Sequence, residues 1–224
     1  MKGRIRRADG VHRSVRTPMN LPNKLTVVRM GLVPLILLCL LLDDERLGHG
    51  TMALGWLLAL ALFIAAAITD WLDGAIARRR QMITNFGRLM DPLADKLLIM
   101  SCFVAFVEKN IFPAWMVIII LLREFFVTGL RSLGTERGIV IQADKWGKSK
   151  TITQMVTVIA VMALKSARYF LMWIEQWKPL VEWTGPVDDY IGWLLHALAF
   201  LCVILSVGSG TLYLIRNRAL FRDN

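Results

Sequence analysis

Residues 69 to 96 read TDWLDGAIARRRQMITNFGRLMDPLADK, a polar, carboxylate-bearing stretch enclosed by apolar sequence on both sides. Before it, residues 51–69 are dominated by Leu, Ala and Ile; after it, the chain turns apolar again through residues 92–108. Outward from there lie further apolar runs near 27–43, 113–130, 151–164 and 190–215. Several of these runs approach the roughly 20 residues that a helix needs to cross about 30 Å of hydrocarbon. The runs are continuous and lack period-two alternation, which argues for helices and against a β-barrel, since a helix satisfies its own backbone in lipid. The expected fold is therefore an all-α integral membrane protein with six transmembrane helices. Bulk composition agrees, with 56% hydrophobic residues and a mean hydropathy of +0.53 over 224 residues, well above an ordinary soluble domain.

The formal charge of +10 raises nucleic acid as a partner, but its distribution argues otherwise. Nineteen Lys/Arg fall on one set of connections: seven before residue 25, then Arg78, Arg79, Arg80 and Arg88, then Arg131, Arg137, Lys145, Lys148 and Lys150, then Arg216, Arg218 and Arg222. The alternate connections hold five, Arg46, Lys109, Lys165, Arg168 and Lys178, among acids such as Asp43, Asp44, Asp188 and Asp189. This is the positive-inside pattern, and it places both termini in the cytoplasm. Nucleic acid is not expected, and the partner is the bilayer. The basic, polar start followed by a long apolar run carries no clear cleavage site, so the first span is expected to be retained. Residues 1–19 read as a basic flexible arm drawn to anionic headgroups, residues 20–29 as an interfacial turn into the first span, and residues 20–224 as one membrane domain. Trp173, Trp177, Trp183 and Tyr169 mark 165–189 as an interfacial connection on the outer side. Cys39, Cys102 and Cys202 lie in apolar runs and read as small hydrophobes.

Within the central stretch, Asp70 and Asp73 are three residues apart and Asp91 and Asp95 four apart, so each pair shares a helical face. The short basic turn between them folds the two helix ends together, and four carboxylates converge. Such a cluster near a membrane needs its charge offset, at about 2.5 to 3.5 kcal/mol per centrally buried ion and less near an interface. Hard divalent cations with oxygen ligands do this, and two of them about 4 Å apart clamp a displacement at phosphorus, so Mg²⁺ or Mn²⁺ is the expected cofactor. Gly74 and Ala77 follow the first pair by four residues each, and Gly87 precedes Asp91 by four. They leave room for a phosphate-bearing ligand, although helix packing alone would also use Gly74 and Ala77. Arg78 supplies a fork of donors for phosphate oxygens.

The spacing Asp70-x2-Asp73-Gly74-x2-Ala77-Arg78-x8-Gly87-x3-Asp91-x3-Asp95 resembles the signature of the CDP-alcohol phosphotransferases at every fixed position. The resemblance implies that family's six-helix membrane fold with an N-terminal interfacial segment, a homodimer, and a site open to the cytoplasm of a bacterial inner membrane. It implies that Asp70, Asp73, Asp91 and Asp95 bind two metals, that Asp95 is the general base, and that Gly74, Ala77 and Arg78 receive the CDP moiety of CDP-diacylglycerol. Arg123-Glu124, Leu130-Arg131, Gly147-Lys148-x-Lys150-Thr151, Gln154 and the opening LPNKLTVVR (21–29) resemble the branch whose acceptor is glycerol 3-phosphate. Arg123, Arg131, Lys145, Lys148 and Lys150 are then the expected acceptor-phosphate residues. Phosphatidylglycerol, inositol phosphate or serine are the alternative acceptors. A transporter would instead spread its carboxylates across the bilayer, and here they cluster at one side.

Overall fold

The computed structural model describes residues 21–41, 48–80, 85–136, 145–174 and 185–216. Every regular element among them is helical: α1 (Leu21–Leu41), α2 (His49–Arg80), α3 (Asn85–Glu108), α4 (Ala114–Glu136), α5 (Lys145–Trp173) and α6 (Gly185–Arg216). Among the described residues, three segments are long and apolar enough to cross a membrane, His49–Thr69, Ser149–Trp173 and Asp189–Arg216, with a shorter apolar helix over Val27–Leu41. The chain is a multi-pass membrane protein. The basic arm 1–19 lies outside the described residues.

Several helices run further than the apolar runs alone indicate. α2 continues unbroken through Arg80, so Arg78 to Arg80 extend a helix instead of forming a loop. α4 carries Arg131, and α5 begins at Lys145 and reaches Trp173, absorbing part of the expected connection. Residues 21–29 are the opening turns of α1 instead of an interfacial turn, and Arg29 is 2% exposed within it. The physical reason is common to all four. Hydropathy marks where a helix meets lipid, whereas Lys and Arg are themselves good helix formers and continue the backbone ladder beyond that boundary. Pro34 inside α1 has no N–H to donate, which removes one rung of the ladder.

α1 packs on both α2 and α3, α2 also on α5, and α6 on α4 and α5. The core between them is filled by Trp56, Phe63, Phe103, Phe106, Ile120 and Met162, each under 2% exposed, while Leu38, Leu57, Leu122, Phe125 and Ile204 face outward. Outward Leu is unremarkable in lipid. It means that burial of apolar area does not drive the helices together here, and that close packing and interhelical hydrogen bonds must. α2 and α5 illustrate this: Ser166 donates to the Ala53 carbonyl at 3.2 Å. At Gly50, any Cβ would come within 2.8 Å of the Trp173 indole.

The connection from α3 to α4 is short and fully determined. Asn110 takes a left-handed φ of 54°, its N–H bonds to Val107 O at 3.0 Å, and the Ile111 N–H bonds to Phe106 O at 2.8 Å. These are the two bonds of a Schellman C-cap, with Asn where a small polar residue tolerates positive φ. The turn draws Phe112 onto Phe103 and Phe106, with ring centroids 5.9 and 5.8 Å apart, and Trp56 stacks on Phe106 at 6.2 Å. Because Phe106 joins the cap to this aromatic cluster, Phe106→Ala is expected to lower stability by about 3 kcal/mol through lost contacts and a cavity. The exposed control Phe125→Ala is expected to change it by under about 0.5 kcal/mol. Thermal unfolding of the two variants in one detergent checks this.

Candidate functional site

At the end of the bundle away from that aromatic cap, a polar network joins four helices. Its centre is Glu124 of α4, 6% exposed. Lys150 of α5, 4% exposed, donates from Nζ to Glu124 Oε1. Arg123 Nη1 donates to the same oxygen at 3.3 Å, while its Nη2 reaches across to Ser209 Oγ of α6 at 2.9 Å. Ser209 in turn donates to the Leu205 carbonyl at 2.6 Å. From α3, Lys96 Nζ donates to Thr128 Oγ1, and the Thr128 hydroxyl donates to the Glu124 carbonyl one helical turn back, at 2.7 Å.

Local sequence explains the convergence. Glu124 and Thr128 are four apart on α4 and share a face. A Cβ at Gly210 would lie 3.1 Å from Arg123 Cγ, so the absent side chain is what lets the arginine lie against α6. Among the described groups bonded here, Lys96, Arg123 and Lys150 are cationic and Glu124 is anionic. Three buried polar atoms nearby in sequence, Arg123 Nε, Gln154 Nε2 and Ser206 Oγ, have no hydrogen-bond partner among the described residues. Buried donors in that position are met by water or by a ligand. Unmet donors beside cationic side chains suit a small, anionic, hydroxyl-bearing ligand.

Of the residues expected from sequence, the structure brings Arg123 and Lys150 onto one carboxylate. Arg131 stands seven residues after Glu124 on α4 and is exposed. Lys145 and Lys148 belong to the first turns of α5, and their side chains lie outside the described residues. So do those of Asp70, Asp73, Gly74, Ala77, Arg78, Gly87, Asp91 and Asp95. Their backbone positions are given: the first pair follows directly on the apolar segment ending at Thr69, and the second lies in the opening turns of α3. Lys96 and Ser209 are network members, and Ser206 a buried hydroxyl beside them, to which the sequence assigns no site role. Their available signals are the place of Lys96 next to Asp95 and the i, i+3 spacing of two hydroxyls in an apolar helix.

Residues 19–181 match the family model described as CDP-alcohol phosphatidyltransferase. The chain belongs to that family. The match contains the whole aspartate stretch and the network residues of α3, α4 and α5, and stops before α6. Among relatives named CDP-diacylglycerol--glycerol-3-phosphate 3-phosphatidyltransferase, the Bacillus subtilis (strain 168) protein is 44% identical over 147 residues, covering 64% of this chain and 76% of the relative. The Rickettsia felis protein is 31% identical over 169 residues, 75% of this chain and 88% of its own. The Mycoplasma pneumoniae protein is 39% identical over 149 residues, 62% and 66% respectively.

In a family member built this way, Glu124 holds two cations that would otherwise repel each other in a medium of low dielectric. Glu124→Gln is therefore expected to destabilise the fold by about 3 kcal/mol, and Lys150→Met by a similar amount. The double variant is expected to lose less than the sum by about 1 to 3 kcal/mol. A double-mutant cycle from denaturation in detergent measures the coupling, and strict additivity would contradict the buried pair.

Proposed function

We propose that this protein transfers the phosphatidyl group of CDP-diacylglycerol to glycerol 3-phosphate, forming phosphatidylglycerophosphate and CMP. The observation that carries the reading is that the family match encloses both the aspartate stretch and the buried cationic network, and that relatives covering most of their own length share this activity in their names.

Asp70, Asp73, Asp91 and Asp95 are a donor set of carboxylate oxygens, which fits hard divalent cations and no soft metal. They would hold Mg²⁺ or Mn²⁺, in two sites by the family resemblance, and when bound such ions neutralise diphosphate charge and polarise phosphorus. Gly74, Ala77 and Gly87 leave space for the nucleotide, and Arg78 donates to its phosphates. Asp95 accepts the proton of the acceptor hydroxyl as that oxygen bonds to the phosphorus bearing diacylglycerol. The bond from this phosphorus to the oxygen of the CMP phosphate then breaks, and CMP leaves with the electron pair. Positioning carries most of the acceleration.

Arg123, Arg131, Lys145, Lys148 and Lys150 form the acceptor side, where a phosphate dianion meets charge-assisted donors. Glu124 holds Arg123 and Lys150 apart at a fixed spacing, and Gln154 and Ser206 offer hydrogen bonds to hydroxyls. The remaining features follow the same reading: six spans, a homodimer, both termini in the cytoplasm of a bacterial inner membrane, and the arm 1–19 resting on anionic headgroups.

Asp91→Asn and Asp95→Asn are each expected to cut CMP release by at least about a thousandfold while the protein still inserts; near-normal turnover in either would remove the site assignment. Arg131→Gln or Lys148→Gln should raise the KM for glycerol 3-phosphate about ten- to a hundredfold, from about 1.5 to 3 kcal/mol per lost bond. The KM for CDP-diacylglycerol should hardly move. Acceptor titration at saturating lipid substrate is the measurement, and equal shifts for both substrates would place the acceptor pocket elsewhere. For orientation, cysteines at Arg80 and Ser149 should react with impermeant reagents only from the cytoplasmic side, and one at Glu182 only from outside.

A further inference from the structure

α6 meets the polar network opposite Arg123. Arg123 and Glu124 are neighbours on α4, so their side chains leave the helix about 100° apart, and the bond between them is long, 3.3 Å from Nη1 to Oε1. The shorter bond of the guanidinium is to α6, where Ser209 Oγ accepts from Nη2 at 2.9 Å. The serine is set to accept. Its one O–H proton is directed back at the Leu205 and Ser206 carbonyls, at 2.6 and 3.1 Å, which leaves the oxygen lone pairs for the arginine. Gly210 follows, and a Cβ there would lie 3.1 Å from Arg123 Cγ, 3.7 Å from Nε and 4.0 Å from Cδ. The stem of the arginine therefore runs along bare helix backbone, while its head is bonded one residue earlier. One turn before Gly210 and on the same face, Ser206 is wholly buried, and its Oγ has no partner among the described residues; Arg123 Nε is likewise unmet.

We propose that α6 positions Arg123 for the acceptor phosphate, with Ser209 orienting the guanidinium and Gly210 seating its stem; this rests on the reading that glycerol 3-phosphate is the acceptor and that Arg123 meets its phosphate. Both are positioning residues, which act through the arginine. An arginine free to sample its rotamers loses that freedom when an anion binds, whereas one already held loses little. The bonds to Glu124 and Ser209 come from Nη1 and Nη2 and leave the Nε–H unmet, so the group is fixed without being used up. Its side chain keeps 12% exposure and is not sealed off. Packing of α6 on α4 would call for small residues, but not for a hydroxyl oxygen aimed at a cation. Gly208 supplies the contrast on the same helix: it is exposed, and a Cβ there would meet nothing within 4 Å. The absent side chain matters at 210 and not at 208. Neither Ser209 nor Gly210 belongs to the stretch matched by the family model, which ends at residue 181.

The test is CMP release by the purified full chain in one detergent, with each substrate varied at saturating levels of the other, alongside thermal unfolding of every variant. Ser209→Ala and Gly210→Ala are each expected to raise the KM for glycerol 3-phosphate about three- to tenfold, with kcat and the KM for CDP-diacylglycerol within about twofold of the unaltered protein. Gly210→Ala should do so with little change in melting temperature, because the helix preference of alanine offsets the displacement of a flexible stem. Gly208→Ala should change neither constant. Ser209→Thr should bring the KM back to within about twofold, since threonine keeps the hydroxyl and already makes the same backbone contact on this helix at Thr211, which donates to the Val207 carbonyl at 3.0 Å. In an Arg123→Gln background, Ser209→Ala should raise the KM no further, because the serine acts only through the arginine. Additive effects in that background would overturn the inference, as would equal shifts for both substrates. A fall in melting temperature with an unchanged KM would also overturn it, by making Ser209 and Gly210 packing residues. Whether the unaltered protein releases CMP with glycerol 3-phosphate tests the acceptor reading, and the ratios between variants test the positioning, so the two fail separately.

Discussion

Glu124 is bonded by Arg123 from its own helix and by Lys150 from the next, and through Arg123 it is tied to Ser209 on the last helix. In a bilayer, where apolar faces gain nothing by leaving lipid for one another, polar bonds of this kind and close backbone approach hold helices in a defined arrangement. Removing the carboxylate would leave two cations facing each other at low dielectric. Much of the architecture is consistent with protecting that contact. Gly210 gives the arginine stem room, Thr128 links Lys96 of α3 to the same turn of α4, and Thr157 meets Cys202 at 3.4 Å one layer further along α5 and α6.

The two ends of the bundle are built from different materials. The α3–α4 end is closed by a capped turn and a cluster of aromatic rings, which set position by shape. The opposite end is held by charge and hydroxyl groups, with buried donors still unmet. A bundle fixed at one end and polar at the other can admit a charged ligand without loosening its whole core. The ring contacts of Phe103, Phe106 and Phe112 do not depend on what binds near Glu124.

The membrane character, the helical class and the family were legible in the sequence, because apolar blocks of bilayer length and eight residues at fixed spacing are both one-dimensional signals. The depth of Arg123 in an apolar run was legible too, and the structure pairs it with Glu124 as an ionisable group at that depth requires. Lys150 shows where the reading stopped. Beside Lys145 and Lys148 it reads as one more acceptor-phosphate cation on a connection, and only the extension of α5 back to Lys145 turns it inward against Glu124 of α4. Lys96, Ser206 and Ser209 escaped for a related reason. Which residue faces which across helices 26 to 86 positions apart depends on packing angles that no local pattern encodes. The ends of α2, α4 and α5 were misplaced because a hydropathy boundary is where lipid ends, and a helix need not end with it.

That difference matters most for α2, a single helix of 32 residues whose apolar segment covers the first 21, His49–Thr69. At 1.5 Å per residue this segment is about 31 Å long, close to the hydrocarbon thickness of an ordinary bilayer. Asp70 follows immediately on the same rigid rod, with no hinge between the lipid-matched part and the carboxylates. A thinner bilayer would be met by tilting that rod or by deforming the lipid around it, and tilting would carry Asp70 and Asp73 with it relative to the water boundary. Membrane thickness thus becomes a mechanical input to the position of the acidic pair, transmitted through the backbone of α2 alone.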